Sequence, residues 1–199
     1  MTRAFITSIA GFLGSHLAER YRDLGWEVIG IDNLSGGSLA NLPEGVRFEQ
    51  IDCLDRERYA DLLAGSDLVY HCAASAYDGL SVFSPAFVFR DTAQATVEVA
   101  TAAAGNDVGR FVYCSSMARY GDQPAPFTED LVPAPVTPYG IAKWSAELTI
   151  TNIFETHGVD YSIAVPHNII GPRQRFDDPY RNVAAIMINR MSRGLQPII

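Results

Sequence analysis

The sequence has few cysteines and basic residues and no long apolar run, and each shortage excludes something. Three cysteines in 199 residues (Cys53, Cys72, Cys114) are an odd number, widely spaced, with no Cys-x-x-Cys pair and no histidine cluster. Neither a disulfide framework nor a metal site is expected, and a reducing compartment fits. Lys and Arg number 15 against 23 Asp and Glu, a net charge of −8; binding to nucleic acid would need a basic stripe instead. No apolar run approaches membrane-spanning length, and the first residues lack the apolar core and small-residue cleavage site of a secretion signal. A soluble cytoplasmic protein without nucleic-acid or membrane partners is the expectation.

What is present is regular. Short β-rich runs, "RAFITS" (3–8), "EVIGID" (27–32), "VRFEQID" (46–52), "DLVYHCA" (67–73), "RFVYCSS" (110–116) and "YSIAVP" (161–166), alternate with helical patterns at 12–24, 55–64, 87–105 and 137–157. Near-continuous apolar strands separated by helices predict an α/β fold, a doubly wound parallel sheet covered on both faces, because parallel strands need crossover connections. Two segments read as loops: 33–45, and the Pro- and Asp-rich 121–138, long enough to be functional. After Pro166 the alternation stops. The stretch "DDPYRNVAAIMINRMSRGLQPII" reads as an amphipathic helix followed by the beginning of a strand, so we expect the chain to stop inside a second domain that begins at residue 167.

Three constellations carry chemistry. In "FITSIAGFLGSH" (5–16), Gly11 falls where backbone must approach a diphosphate and Gly14 where a helix must pack closely on a strand. Asp32 ends the second apolar strand, 18 residues after Gly14; a carboxylate there accepts from ribose hydroxyls and repels a 2′-phosphate, which favours NAD over NADP. Tyr139 and Lys143 stand four apart at the start of a helical pattern after Pro138. They therefore share one helix face, where the ammonium favours a phenolate base. Ser115 and Ser116 follow an apolar strand, at the carboxyl end where ligands bind in open α/β sheets.

Taken in order, "TSIAGFLGSHL", Asp32-Asn33, "IDCLD", "HCAA", "YCSSMARYG", "PYGIAK" and "VPHNIIGPRQ" resemble the extended short-chain dehydrogenase/reductase family over essentially the whole chain. Within it the likeness is to the nucleotide-sugar epimerases and dehydratases, most of all to the UDP-hexose 4-epimerase-like members. The resemblance implies a Rossmann NAD-binding domain over 1–166 and the start of a substrate-binding domain over 167–199. It implies that Gly11, Phe12, Leu13 and Gly14 line the NAD diphosphate, that Asp32 and Asn33 hold the adenosine ribose, and that Asp52 and Cys53 flank the adenine. Ala73 and Ala74 would pass beneath the cofactor, with Pro166 and His167 at its nicotinamide end. Ser116, Tyr139 and Lys143 match the catalytic trio, Tyr139 and Lys143 also touching cofactor, while Ser116, Asn168 and Asn182 match substrate contacts. His16, His71 and His157 are left as structural.

The implied reaction is C4 epimerisation of a UDP-hexose. The alternatives are a dehydratase, decarboxylase or reductase of the same family, and a non-catalytic dinucleotide-binding protein. Met117 and Ala118, directly after Ser116, lack the carboxylate that dehydration uses, which favours epimerisation. The resemblance also implies a homodimer, with helices 87–105 and 137–157 as a four-helix interface; apolar faces on those helices fit a core equally well. Three departures stand out. Ser8 replaces the family's first glycine, Thr92 stands where asparagine is usual, and the sequence ends before the usual "GDG" segment, beyond which the resemblance implies the arginines that clamp the nucleotide diphosphate.

Overall fold

The computed structural model describes residues 2–178, 180 and 183–197. Six strands, β1 (Arg3–Thr7), β2 (Glu27–Ile31), β3 (Arg47–Glu49), β4 (Leu68–His71), β5 (Arg110–Cys114) and β6 (Tyr161–Ala164), form one sheet of order β3-β2-β1-β4-β5-β6. Every pairing is parallel. The strand order reverses between β1 and β4, which opens a crevice at the carboxyl ends of those strands. The first six helices are α1 (Phe12–Asp23), α2 (Arg56–Tyr59), α3 (Asp78–Ser81), α4 (Pro85–Phe89), α5 (Ala95–Ala104) and α6 (Pro138–His157). The seventh, α7 (Val183–Ser192), falls where the amphipathic pattern predicts a helix. No strand follows it over residues 195–197.

Strand alternation sorts the apolar side chains onto two faces. Phe5, Ile29, Ile31, Val69, Phe111 and Tyr113 meet α5 and α6 through Val99, Ala103, Ile150 and Phe154. Ile6, Val28 and the half-buried Tyr70 meet α1 through Ala18 and Tyr21. Each fully buried Ile, Phe or Val contributes on the order of 1.5–3 kcal/mol, so the larger face dominates stability. Coverage of the other face is incomplete. Along β6, Tyr161 and Ile163 are half-buried whereas Ser162 and Ala164 are exposed, so the expected two-sided cover stops short of this edge strand.

Helix α6 carries most of the anticipated chemistry and is clearly punctuated. Thr137 caps it by accepting the Gly140 N–H at 3.1 Å, and Pro138 takes the first turn. It ends at Gly158, φ 71°, where the Val159 N–H folds back onto the Phe154 carbonyl. Two expected helices are interrupted. At 55–64, Tyr59 leaves helical geometry so that its buried ring can donate to the Cys53 carbonyl at 2.7 Å, and Ala60–Leu63 tighten into a 3-10 turn. At 87–105, Arg90–Gln94 widen into a π-helical turn between α4 and α5 around the buried Thr92. The loop 121–137 contains no helix or strand.

Candidate active site

The crevice at the strand ends holds two adjoining basins that share Ser8, Gly36 and Ala74. The larger, about 620 Å³, has Gly11–Gly14 at one end and Ser116, Tyr139 and Lys143 at the other, with Pro166 and Asn168 on its rim. The smaller, about 120 Å³, is lined by Asp32, Asn33, Asp52, Cys53 and Ala73. Every anticipated site residue lines one of these basins except Asn182, which lies outside the described residues.

The opening turn is tighter than its sequence indicates. Ser8 sits at φ 55°, the left-handed region that favours glycine. Its backbone is pressed against α1: a Cβ on Gly14 would lie 2.1 Å from the Ser8 carbonyl oxygen, and one on Gly11 would lie 2.5 Å from Ser8 Oγ. Both glycines are thus fixed by close approach. Gly11 caps α1 without a side-chain bond, so the first N–H groups of the helix are left for an anion, with the positive end of the helix dipole behind them.

Asp32 joins this turn to the end of β2. Its carboxylate accepts the Leu34 N–H at 2.7 Å and the Ala10 N–H at 3.1 Å. Burial raises its pKa, opposed by those two bonds and by the Ser8 hydroxyl. Two backbone bonds leave carboxylate lone pairs for further donors, which the smaller basin can supply from a ribose. Asn33 donates to Asp52 at 2.6 Å, linking the two walls of that basin. A diphosphate-sized cradle of backbone at one end and an acid at the end of β2 fit a dinucleotide.

Below the cradle runs a buried relay. Thr7 Oγ1 accepts the N–H groups of Cys72 and Ala73, both at 3.1 Å, so its own proton goes to His71 Nδ1 at 2.9 Å. Thr96 donates to the Thr92 carbonyl and therefore receives its 3.0 Å bond from His71 Nε2–H. The network thus fixes a neutral His71 with its proton on Nε2, and burial lowers its pKa to about 3. Left as structural by the sequence, His71 secures the floor of the site.

At the other end, Lys143 is buried and donates from Nζ to the Cys114 carbonyl at 2.6 Å. Its ammonium lies 4.8 Å from the Tyr113 ring centre and 6.0 Å from that of Tyr139. Burial brings its pKa down to about 8, against the pull of Cys114, Cys72 and Glu147. Gly140 lets α6 reach the turn after β5, since a Cβ there would lie 2.5 Å from the Ala118 carbonyl oxygen. Tyr139 and Ser116 are thereby held against the same cavity. Ser116 Oγ accepts the Ala118 N–H at 3.2 Å, whereas Ser115 donates to the buried carboxylate of Glu147. Arg119 closes that network with a 2.5 Å ion pair to Glu147.

The sequence reading missed Glu147, although its spacing of four from Lys143 puts it on the same helix face. It also missed Phe127, Arg173, Arg175 and Tyr180 in the large basin. Arg173 bonds Glu19 of α1 at 3.0 Å from 154 positions away, a separation with no local sequence signal.

Comparison with known proteins agrees with this geometry. The family model described as "NAD dependent epimerase/dehydratase family" matches residues 4–199. The UDP-glucose 4-epimerase of Mycolicibacterium smegmatis is 32% identical over 195 residues, covering 94% of this chain and 61% of that protein. The UDP-glucose 4-epimerase of Thermus thermophilus, solved in complex with NAD, superposes with a TM-score of 0.91 at 30% identity, over 98% of this chain and 64% of that one. A dTDP-glucose 4,6-dehydratase of Streptomyces venezuelae, solved with NAD, gives 0.87 at 29% identity, over 97% and 63%. The chain therefore spans under two thirds of these relatives. With a parallel sheet of order β3-β2-β1-β4-β5-β6, a dinucleotide cradle and this likeness along its length, the chain belongs to the NAD dependent epimerase/dehydratase family of extended short-chain dehydrogenases/reductases and takes NAD as its cofactor.

Proposed function

We propose that the protein epimerises C4 of a nucleotide-activated hexose, a UDP-sugar, through a transient 4-keto sugar. The observation that carries this reading is the convergence of Ser116, Tyr139 and Lys143 on the basin that the Gly11–Gly14 turn enters from the other side. NAD, when bound, supplies reversible hydride acceptance. Gly11, Phe12, Leu13 and Gly14 hold its diphosphate, Asp32 and Asn33 its adenosine ribose, and Asp52 and Cys53 flank its adenine. Ala73, Ala74 and Pro166 line its path.

Tyr139, as phenolate, takes the proton from the sugar 4-hydroxyl, and Lys143 supplies the positive charge that steadies the phenolate. Ser116 keeps its hydroxyl proton for the same sugar oxygen, because its bond to Ala118 uses the oxygen only as an acceptor. Rotation of the 4-keto sugar presents the opposite face of C4 to the hydride that bound NAD would return, which sets the inverted configuration, and Tyr139 gives its proton back to the sugar oxygen. Asn168 and Asn182 hold the sugar nucleotide. Residues 1–166 form the cofactor half and 167–199 begin the substrate half. Met117 and Ala118 offer no carboxylate beside Ser116, which favours epimerisation over dehydration. Phe89, with Ile141 and Leu148 of α6, is exposed although the opposite sides of these helices are core, which supports a homodimer paired on them.

The test is to mix the full-length protein with UDP-glucose, UDP-galactose and their N-acetyl forms and follow the anomeric protons by NMR. Interconversion of one pair is expected. Bound NAD without interconversion of any of them overturns the 4-epimerase assignment.

A further inference from the structure

Two of the three cysteines meet where the sequence alone gave no reason to pair them. His71 lies opposite Tyr113 in the β4–β5 register, so Cys72, one residue past β4, comes opposite Cys114, the last residue of β5. Their sulfurs are 3.7 Å apart, and both residues line the large basin. Neighbouring strands run about 4.8 Å apart, which falls within the Cα span of roughly 4.4–6.8 Å that a disulfide bridges. We propose that Cys72 and Cys114 are a redox-active dithiol in the wall of the large basin, which a small organic disulfide closes into an intrachain bond.

The environment assigns the order of events. The two sulfurs lie within hydrogen-bond distance, and either thiol can donate to the other. That same bond, together with Lys143, lowers the Cys114 pKa against the effect of burial. Cys114, whose own carbonyl holds the Lys143 ammonium at 2.6 Å, is thus the attacking thiolate. It displaces one thiolate from the organic disulfide and forms a mixed disulfide. Cys72 then loses its proton and attacks Cys114 Sγ, displacing the second thiolate. Two protein thiols and one organic disulfide give one protein disulfide and two organic thiols. Closure shortens the sulfur separation by roughly 1.7 Å, from 3.7 Å to a bond length. It acts on the end of β5, whose last carbonyl holds Lys143. An effect on turnover rests on the role proposed for Lys143; the disulfide itself does not.

The experiment treats the native full-length protein with bis(2-hydroxyethyl) disulfide, quenches in acid, alkylates, and maps the peptides by mass spectrometry. The expected product is a Cys72–Cys114 cross-linked peptide with the loss of two hydrogens. Cys53, which is buried with its pKa pushed up, is expected to react at least roughly tenfold more slowly. Cys72→Ser protein stops at a mixed disulfide on Cys114. The cross-link is read directly in the wild type, so a poorly folding variant does not remove the test. Mixed disulfides that persist on Cys72 and Cys114 without a cross-link, or reaction no faster than at Cys53, overturn the proposal.

Discussion

Acid should loosen this protein through His71. The side chain is fully buried, accepts from Thr7 and donates to Thr96, and its pKa in the folded state is about 3 against an ordinary value of 6.5. Between those two pH values the unfolded chain binds a proton that the folded one refuses. By linkage, stability rises with pH across that window, so it is lost as pH falls below 6.5 and the loss is complete near 3. One pKa unit is worth about 1.4 kcal/mol, so lowering the pH to 4.5 removes on the order of 2–3 kcal/mol. That is a large share of the roughly 5–15 kcal/mol that holds an ordinary domain together.

Two carboxyls work in the opposite direction. Burial raises the pKa of Asp32 and of Glu147, so the folded state holds their protons more tightly than the unfolded state does. Their share of the stability change therefore grows as pH falls, and the wild-type curve alone mixes both signs. The decisive quantity is the difference between wild type and His71→Asn, in which an amide keeps one acceptor and one donor in the relay but does not titrate. Urea unfolding followed by the fluorescence of Trp26 and Trp144 at pH 7, 6, 5 and 4.5 measures it. Relative to the variant, wild type should lose roughly 0.7 kcal/mol between pH 7 and 6 and then approach about 1.4 kcal/mol per pH unit below pH 6, on top of a constant offset from truncation. Parallel curves, or an NMR titration of His71 centred near 6.5, refute the reasoning.

Three further outcomes are expected. Tyr139→Phe keeps NAD affinity within a few fold by calorimetry but lowers kcat by about 10²–10⁴; unchanged turnover removes Tyr139 from the role of base. Ser8→Gly relieves the left-handed strain at φ 55°, raises stability by about 1 kcal/mol in urea and leaves NAD binding equal or tighter; a large loss of affinity shows that the hydroxyl holds the cofactor. Thr92 Oγ1 is buried without a hydrogen-bond partner among the described residues. Thr92→Val should therefore raise stability by about 1 kcal/mol, and a lower melting temperature would show that the hydroxyl is bonded after all.

Much of the fold was legible because the central parallel strands, buried on both sides, read as apolar runs, and the β-rich alternation carries on to the more exposed edge strands β3 and β6. The two helix interruptions were not, because each depends on a distant partner. Tyr59 breaks its helix to reach a carbonyl, and the turn around Thr92 widens within the core. The site divides in the same way. Glycines, the acid after β2 and the Tyr-x-x-x-Lys spacing are local patterns, and the structure brings them to one crevice. The Cys72–Cys114 approach and the Arg173–Glu19 pair exist only once register and packing are set.

Ser8 shows how a departure from a motif can be read physically. A glycine is wanted at the head of such a turn for either of two reasons: a positive φ, or lack of room for a side chain. Here the backbone does take the positive φ, so the conformational demand persists and serine meets it at a cost of about 1–2 kcal/mol. Room is found on the side of Asp32, whose carboxylate the Ser8 hydroxyl helps to stabilise. The demand for space has passed to Gly11, where any Cβ would collide with that hydroxyl. Ser8 and Gly11 are therefore coupled: Gly11→Ala should be tolerated better in a Ser8→Gly background than alone, whereas Gly14→Ala, which meets the Ser8 backbone itself, should gain nothing from it.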